Sequence, residues 1–336
     1  MPQLSQWLMA GKRGIKAKFR IMVSHMTGRA IFVQNKDSAG HLSALVTIII
    51  WGTTFTSTKI LLQTFTPVEV QVMRNVIAFL ALYLAKPQRL IVAEKWHELL
   101  FAGAGLTGLT LYHVFENTSL SATNVANTSL IVATSPFFIA LLSFKFLKAE
   151  KPGPLFFAGF LTAITGIALI SINGAMNLRL NPFGDLLAFG ASVVWAFYSV
   201  ITKKLSSYGY DNIQITRRIF GYGLIFSLPL MFFADFRLSL ELPRLLLTPV
   251  NLGNMLFLGV CASALCFGAW NFAVKMLGAV KTSVYIYMIP VISVSTSAIV
   301  LGEPVTWMLA AGAVLTLLGL ILSEYKSLRE GRLSVE

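Results

Sequence analysis

Charge is scarce in this 336-residue chain. It holds 14 Asp and Glu, and 12% charged residues in all, against about 25% in an average soluble protein. A water-soluble fold of this size would lack the polar side chains needed to cover its surface. Cysteine is scarcer still. Cys261 and Cys266 stand too far round and along one helix for a disulfide and read as small apolar packing residues. Signatures of chemistry are missing as well. Gly278-Ala279-Val280-Lys281-Thr282 lacks the second glycine of a phosphate-cradling loop, so direct drive by ATP is not expected. No GxSxG, HExxH or CxxC occurs, which removes the common nucleophile, zinc-hydrolase and dithiol patterns. No cofactor and no metal site is expected.

What the chain has instead is 56% hydrophobic residues and a mean hydropathy of +0.72. The few charges are bunched between apolar runs of roughly 20 residues, the length a helix needs to cross a bilayer core. Within lipid each backbone N–H must be satisfied by a helix or a closed barrel. Barrel strands alternate polar and apolar residues, and Leu42–Leu62 and Leu155–Ile172 do not. The spans expected are Leu42–Leu62, Pro67–Leu84, His97–Phe115, Asn124–Phe144, Leu155–Ile172, Asp185–Thr202, Asn212–Phe233, Leu252–Val274, Thr282–Leu301 and Val305–Ser323. The fold class is therefore an all-α integral membrane protein with ten transmembrane helices. The first span is far from the N-terminus and no small-residue cleavage site follows it, so it is expected to be retained.

The formal charge of +13 would suit a nucleic-acid binder, but its distribution points elsewhere. With the N-terminus in the cytoplasm, 20 of the 27 Lys and Arg fall in inner segments. Arg179, Arg237 and Arg244 fall outside, and Lys59, Arg74, Arg217 and Arg218 lie in spans or at their ends. This is the positive-inside pattern of a multi-pass cell-membrane protein, a bacterial inner membrane being the expected one, with both termini cytoplasmic. Nucleic acid is not among the expected partners.

The chain also repeats itself. Trp51, Lys59 and Arg74 recur with the same spacing as Trp195, Lys203 and Arg218, and Pro136, Glu150, Gly159 and Gly166 correspond to Pro290, Glu303, Gly312 and Gly319. Each copy holds five spans, and an odd number turns the second copy over, giving a 5+5 inverted-topology repeat. Such repeats place a site at their interface near mid-membrane. The expected division is a basic tail at 1–40, repeats at 41–176 and 181–325, and a second tail at 326–336. With Trp51-Gly52-Thr53-Thr54-Phe55, Thr66-Pro67 before Arg74, Pro290 and Leu301-Gly302-Glu303-Pro304, the chain resembles the EamA-type branch of the drug/metabolite transporter superfamily. The resemblance covers Leu42 to Tyr325. It implies a ten-helix transporter of small organic metabolites, often amino acids and their relatives, commonly moved outward. One departure is Leu147-Lys148-Ala149-Glu150, where the family usually reads Leu-Gly-Glu.

Ionisable residues within lipid are costly and usually face a bundle interior or an aqueous path. Arg74 and Arg218 are candidates to bind a substrate carboxylate or pair with a moving counter-charge, with snorkelling to the headgroups as the alternative. Lys59 and Lys203 read as headgroup anchors. His113 and Glu116 share a helix face at i, i+3 and are candidates for proton coupling, against a solvated helix end beside Asn117 and Asn124. Trp51, Trp195, Tyr198, Trp270, Asn271, Tyr285 and Tyr287 are candidates for a cavity lining, against plain helix packing. Pro136 and Pro290 read as mid-helix prolines that bend their spans, as gates or as fixed kinks. Glu303-Pro304 and Glu150-Lys151-Pro152 read as helix starts. Ala104/Gly108, Gly159/Ala163 and Ala188/Ser192/Ala196 permit close helix approach.

The function expected is a secondary transporter, an exporter of amino acids or similar metabolites working by alternating access. A nucleotide-sugar or phosphate-ester exchanger of the same superfamily is the alternative, as is a membrane-embedded enzyme using His113 and Glu116. The expected partners are a small-molecule metabolite, the lipid bilayer and protons as coupling ion, with a homodimer allowed. In the tail, Trp7, Ile15, Phe19 and Met22 among basic residues suit an interfacial helix on anionic lipid; the other reading is translation starting at Met22 or Met26.

Overall fold

The computed structural model describes residues 37–123, 125–149, 151–174, 181–233, 241–301, 307–308, 311–312, 314–319 and 321–323. Residues 1–36 of the first expected tail, the whole of the second, Asn124, Glu150 and the Glu303-Pro304 turn lie outside the described residues, among which every regular element is helical; residues 37–40, expected in the tail, already belong to the first helix. The elements are α1 (Asp37–Leu61), α2 (Pro67–Ala85), α3 (His97–Ala122), α4 (Val125–Val132), α5 (Ser135–Leu147), α6 (Pro154–Gly174), α7 (Pro182–Ser206) and α8 (Asn212–Phe233). A short α9 (Glu241–Leu246) precedes α10 (Pro249–Leu277), α11 (Ala279–Ser283), a 3-10 segment at Val284–Met288, α12 (Ile289–Leu301) and α13 (Val314–Ser323). Among the described residues, seven stretches are long and apolar enough to cross a membrane.

Several starts are written in the sequence as a capping residue followed by proline, whose missing N–H is one the first helical turn does not need. Thr66 caps α2 in a reciprocal box with Glu69, the Thr66 N–H donating to Glu69 Oε2 at 2.7 Å. The Asn181 side chain accepts from the Gly184 N–H at 3.1 Å at the head of α7, and Thr248-Pro249 opens α10.

The large apolar side chains that remain exposed, Leu80, Leu84, Leu161, Phe232 and Ile299 among them, form an outer surface suited to hydrocarbon rather than water. Inside, small residues set the closest approaches. A Cβ on Gly166 would stand 2.6 Å from the Gly312 carbonyl oxygen, and one on Gly319 2.6 Å from that of Gly159. α6 and the last helix therefore meet backbone to backbone. At Gly52, Ile292 of α12 would be met at 2.5 Å, and the Ser293 hydroxyl donates to the Gly52 carbonyl at 2.8 Å.

Three expectations need correction. The α3 helix runs to Ala122 rather than ending near Phe115, so Glu116 and Asn117 are buried rather than solvated. Pro136 and Pro290 fall mid-way along the long helical stretches Thr128–Leu147 and Ala279–Val300, but not inside unbroken α-helix. Each sits in the first turn of its helix, after a break. Proline cannot donate to the carbonyl four residues back, and the chain fills both gaps locally. The Val132 carbonyl accepts the Ser135 hydroxyl at 2.5 Å, and the Ile286 carbonyl accepts the Ile289 N–H in the tighter 3-10 pattern. Finally, Lys59 and Lys203 are not headgroup anchors. Lys59 Nζ donates to the carbonyls of Leu120 (2.5 Å) and Thr123 (2.9 Å) at the end of α3. Lys203 Nζ donates to that of Lys275 (3.0 Å) at the end of α10. A cation there satisfies orphan carbonyls and the negative helix end together.

Candidate functional site

Two helices lose their 3.6-residue phase where they pass the middle of the bundle. In α3 the stretch Leu106–Leu111 is π-helical, and in α10 the stretch Phe257–Leu265. A wide turn rotates everything that follows it and is common at functional sites. Just beyond these segments, Tyr112, His113 and Glu116 of α3 face the same cavity as Phe267 of α10. The two segments also admit large neighbours: Gly108 lies against the ring of Tyr198.

Between them is a cavity lined by Trp51, Thr54, Phe55, Arg74, Tyr112, His113, Glu116, Trp195, Phe267 and Ile289. Its volume is about 20 Å³, room for one water and no metabolite. The conformation described is closed around this site. Its walls are aromatic. Trp51 meets Trp195 edge-on with centroids 5.3 Å apart and packs on Phe267 (5.4 Å) and Trp270 (5.1 Å). The Trp51 indole N–H donates to the Ala262 carbonyl at 2.8 Å, which fixes the ring.

The cation at the site is Arg74, 3% exposed. Its Nε donates to the Ser263 hydroxyl at 3.1 Å, its one hydrogen-bond partner among the described residues. Glu116 shares the cavity, close enough to feel the arginine's charge, and its Oε1 accepts from the Tyr112 hydroxyl at 3.0 Å. His113, 1% exposed, packs against Tyr112 and Phe267.

Of the residues singled out from sequence, Trp51, Arg74, Trp195, His113 and Glu116 converge here. Tyr198, Trp270 and Asn271 form the layer behind. The Tyr198 hydroxyl donates to Asn271 Oδ1 at 2.8 Å, and Asn271 Nδ2 to the Thr216 hydroxyl at 3.1 Å. Tyr285 is elsewhere, its hydroxyl bonded to His41 Nδ1 at 2.8 Å, and Tyr287 is fully buried. Arg218 is also away from the cavity. It forms a two-point ion pair with Glu98, which accepts from the Tyr222 hydroxyl as well. The arginine candidates therefore part company: one is committed to a counter-ion at a bundle end, the other is held at the centre. Sequence reasoning missed Tyr112, Ser263, Phe267 and Thr54. Tyr112 was within reach as the i−4 neighbour of Glu116. Ser263, inside an apolar run, carries no such signal.

The sequence pattern of the EamA-like transporter family matches residues 38–172 and again residues 182–325. An uncharacterized transporter of Archaeoglobus fulgidus is 26% identical over 300 residues, spanning 86% of this chain and 99% of its own. A probable terminal-alkyne amino-acid exporter of Streptantibioticus cattleyicolor is 25% identical over 290 residues, 86% of this chain and 94% of its own. A probable amino-acid metabolite efflux pump of Salmonella typhimurium is 24% identical over 290 residues, 84% and 93%. A protein of known crystal structure shares the fold at a TM-score of 0.67, with 19% identity over 87% of this chain and 98% of its own.

Proposed function

Because the chain belongs to the EamA-like transporter family, we propose that it is a secondary transporter exporting small carboxylate-bearing metabolites, amino acids or their derivatives. The observation that carries this reading is Arg74, buried in an aromatic-walled cavity with Ser263 as its hydrogen-bond partner. Burying a guanidinium costs several kcal/mol, roughly, unless it is paired. Its planar fork matches a carboxylate with two parallel bonds, and Trp51, Trp195 and Phe267 suit an apolar remainder. A phosphate ester would call for several cations, whereas Arg74 is the one cationic side chain among the lining residues.

The same reading takes the architecture as ten spans in a 5+5 inverted repeat, at 41–176 and 181–325, with both termini cytoplasmic. Support comes from the twofold family match, the facing pair Trp51 and Trp195, the twin carbonyl contacts of Lys59 and Lys203 and the twin breaks before Pro136 and Pro290. Those breaks serve as hinges of alternating access. A proton and the substrate's ammonium group compete for Glu116, with His113 beside it, so that substrate and proton occupy the site in turn and move in opposite directions. Transport is thereby coupled to protons.

Counterflow in proteoliposomes with labelled amino acids tests this. Two charge-assisted bonds at about 1.5–3 kcal/mol each imply at least a ~100-fold weaker apparent affinity in Arg74→Ala, while Arg218→Ala keeps exchange. Glu116→Gln should retain counterflow and lose its response to a pH gradient. Unchanged exchange in Arg74→Ala, or no exchange by folded wild type across a broad panel, would overturn the reading.

A further inference from the structure

A second cavity, of about 920 Å³, opens at the bundle end where α5 and α7 finish and α6 begins. Its walls carry the side chains of Lys148, Lys151, Lys203, Lys204 and Lys281, and no Asp or Glu is among the described lining residues; Glu150 and Glu324, neighbours in sequence, lie outside them. Both ion pairs among the described residues, Lys86 with Asp211 and Arg218 with Glu98, are elsewhere. Lys203 is partly occupied by the Lys275 carbonyl and Lys204 lies over the Tyr208 ring. Lys148, Lys151 and Lys281 are exposed. Like charges gathered in one cleft raise the local positive potential and favour an anion.

We propose that this cleft is an anion-binding vestibule, taking a carboxylate or phosphate group on the lysines. Topology alone asks only that lysines sit on one face of the membrane. It does not ask that five of them converge on one cavity. The anion has two sources: a soluble metabolite, drawn in from the aqueous phase before it reaches the centre, or the headgroup of an anionic lipid. The site stands independently of the carboxylate at Arg74, because binding here is measured without transport.

The test uses the full-length protein in nanodiscs of zwitterionic lipid titrated with inorganic phosphate at constant ionic strength, read by thermal shift. A parallel arm counts phosphatidylglycerol retained in native mass spectrometry. The variant is Lys148→Gln/Lys151→Gln/Lys281→Gln, its positions exposed, and the control is Lys86→Gln, a lysine of the same bundle end outside the cleft. Saturable phosphate binding weakened at least tenfold in the triple variant and not in the control identifies a soluble-anion site. Loss of retained phosphatidylglycerol alone, with the same contrast, identifies the lipid headgroup as the ligand. Equal losses in variant and control, or no binding in either arm, overturn the proposal.

Discussion

Gly108 offers a test of the central packing that does not depend on knowing the substrate. A Cβ at this position would lie 2.5 Å from Cγ and 2.7 Å from Cε2 of Tyr198, and nearer still to Cδ2. Carbon atoms settle at about 3.5–4.0 Å, so the ring would have to retreat by roughly 1 Å or more. It is not free to do so. Its hydroxyl is tied to Asn271 at 2.8 Å, its face lies 4.8 Å from Trp195, and it is fully buried. Overpacking of this kind costs about 1–3 kcal/mol, offset by the ~1 kcal/mol that alanine gains over glycine in a helix. Gly108→Ala should therefore destabilise by up to about 2 kcal/mol. With the ring removed by Tyr198→Ala the obstruction is gone, and adding Gly108→Ala should stabilise by up to ~1 kcal/mol. Unfolding of the four proteins in one detergent completes the cycle, with an expected coupling of about 1–3 kcal/mol. The same cost for Gly108→Ala in both backgrounds would refute the contact.

Four further outcomes are expected. Lys59→Met and Lys203→Met should each lower stability by about 1–2 kcal/mol, and because they act at opposite bundle ends the double variant should be additive within ~0.5 kcal/mol in thermal unfolding. Pro136→Ala restores a backbone donor to the Val132 carbonyl, so a continuous helix should form. Counterflow should then slow while the unfolding temperature holds or rises. Ser135→Ala strips that carbonyl of its hydroxyl partner and should cost about 1 kcal/mol. At Asp211, burial works against ionisation, but the hydrogen bond from Lys86 and the backbone N–H groups of Gln214 and Ile213 outweigh it and hold the carboxyl below its usual range. Its contribution is thus present above the unfolded value of about 3.9 and is lost as pH falls through the lower folded value. The stability gap between wild type and Asp211→Asn, at most about 1 kcal/mol for so exposed a pair, should be present at pH 7 and close in acid.

Much of the site was legible because lipid makes polarity conspicuous. Arg74, His113 and Glu116 stand out in apolar runs, and Trp51 and Trp195 stand out by recurring. What stayed hidden depends on helix phase. The π segments at Leu106–Leu111 and Phe257–Leu265 shift every side chain beyond them, and apolar runs give no periodic signal from which to read that shift. Ser263 became a partner of Arg74 for this reason. Arg218 misled for the opposite reason: its spacing matches Arg74, but its partner Glu98 is 120 residues away in sequence and no local pattern announces it. The prolines were visible and their effect was not. A proline marks a missing donor, but whether the chain bends through it or starts afresh depends on who takes the freed carbonyl, here Ser135 and Ile289.

The contact of α6 with the last helix has a consequence for traffic through the bilayer. At Gly159, Gly166 and Gly319 the facing backbones leave no room for a single methyl group. An acyl chain is at least as wide as that methyl along its whole length. The seam is closed to lipid tails, and a greasy solute arriving sideways from the membrane has to enter between other helices or come in from the water.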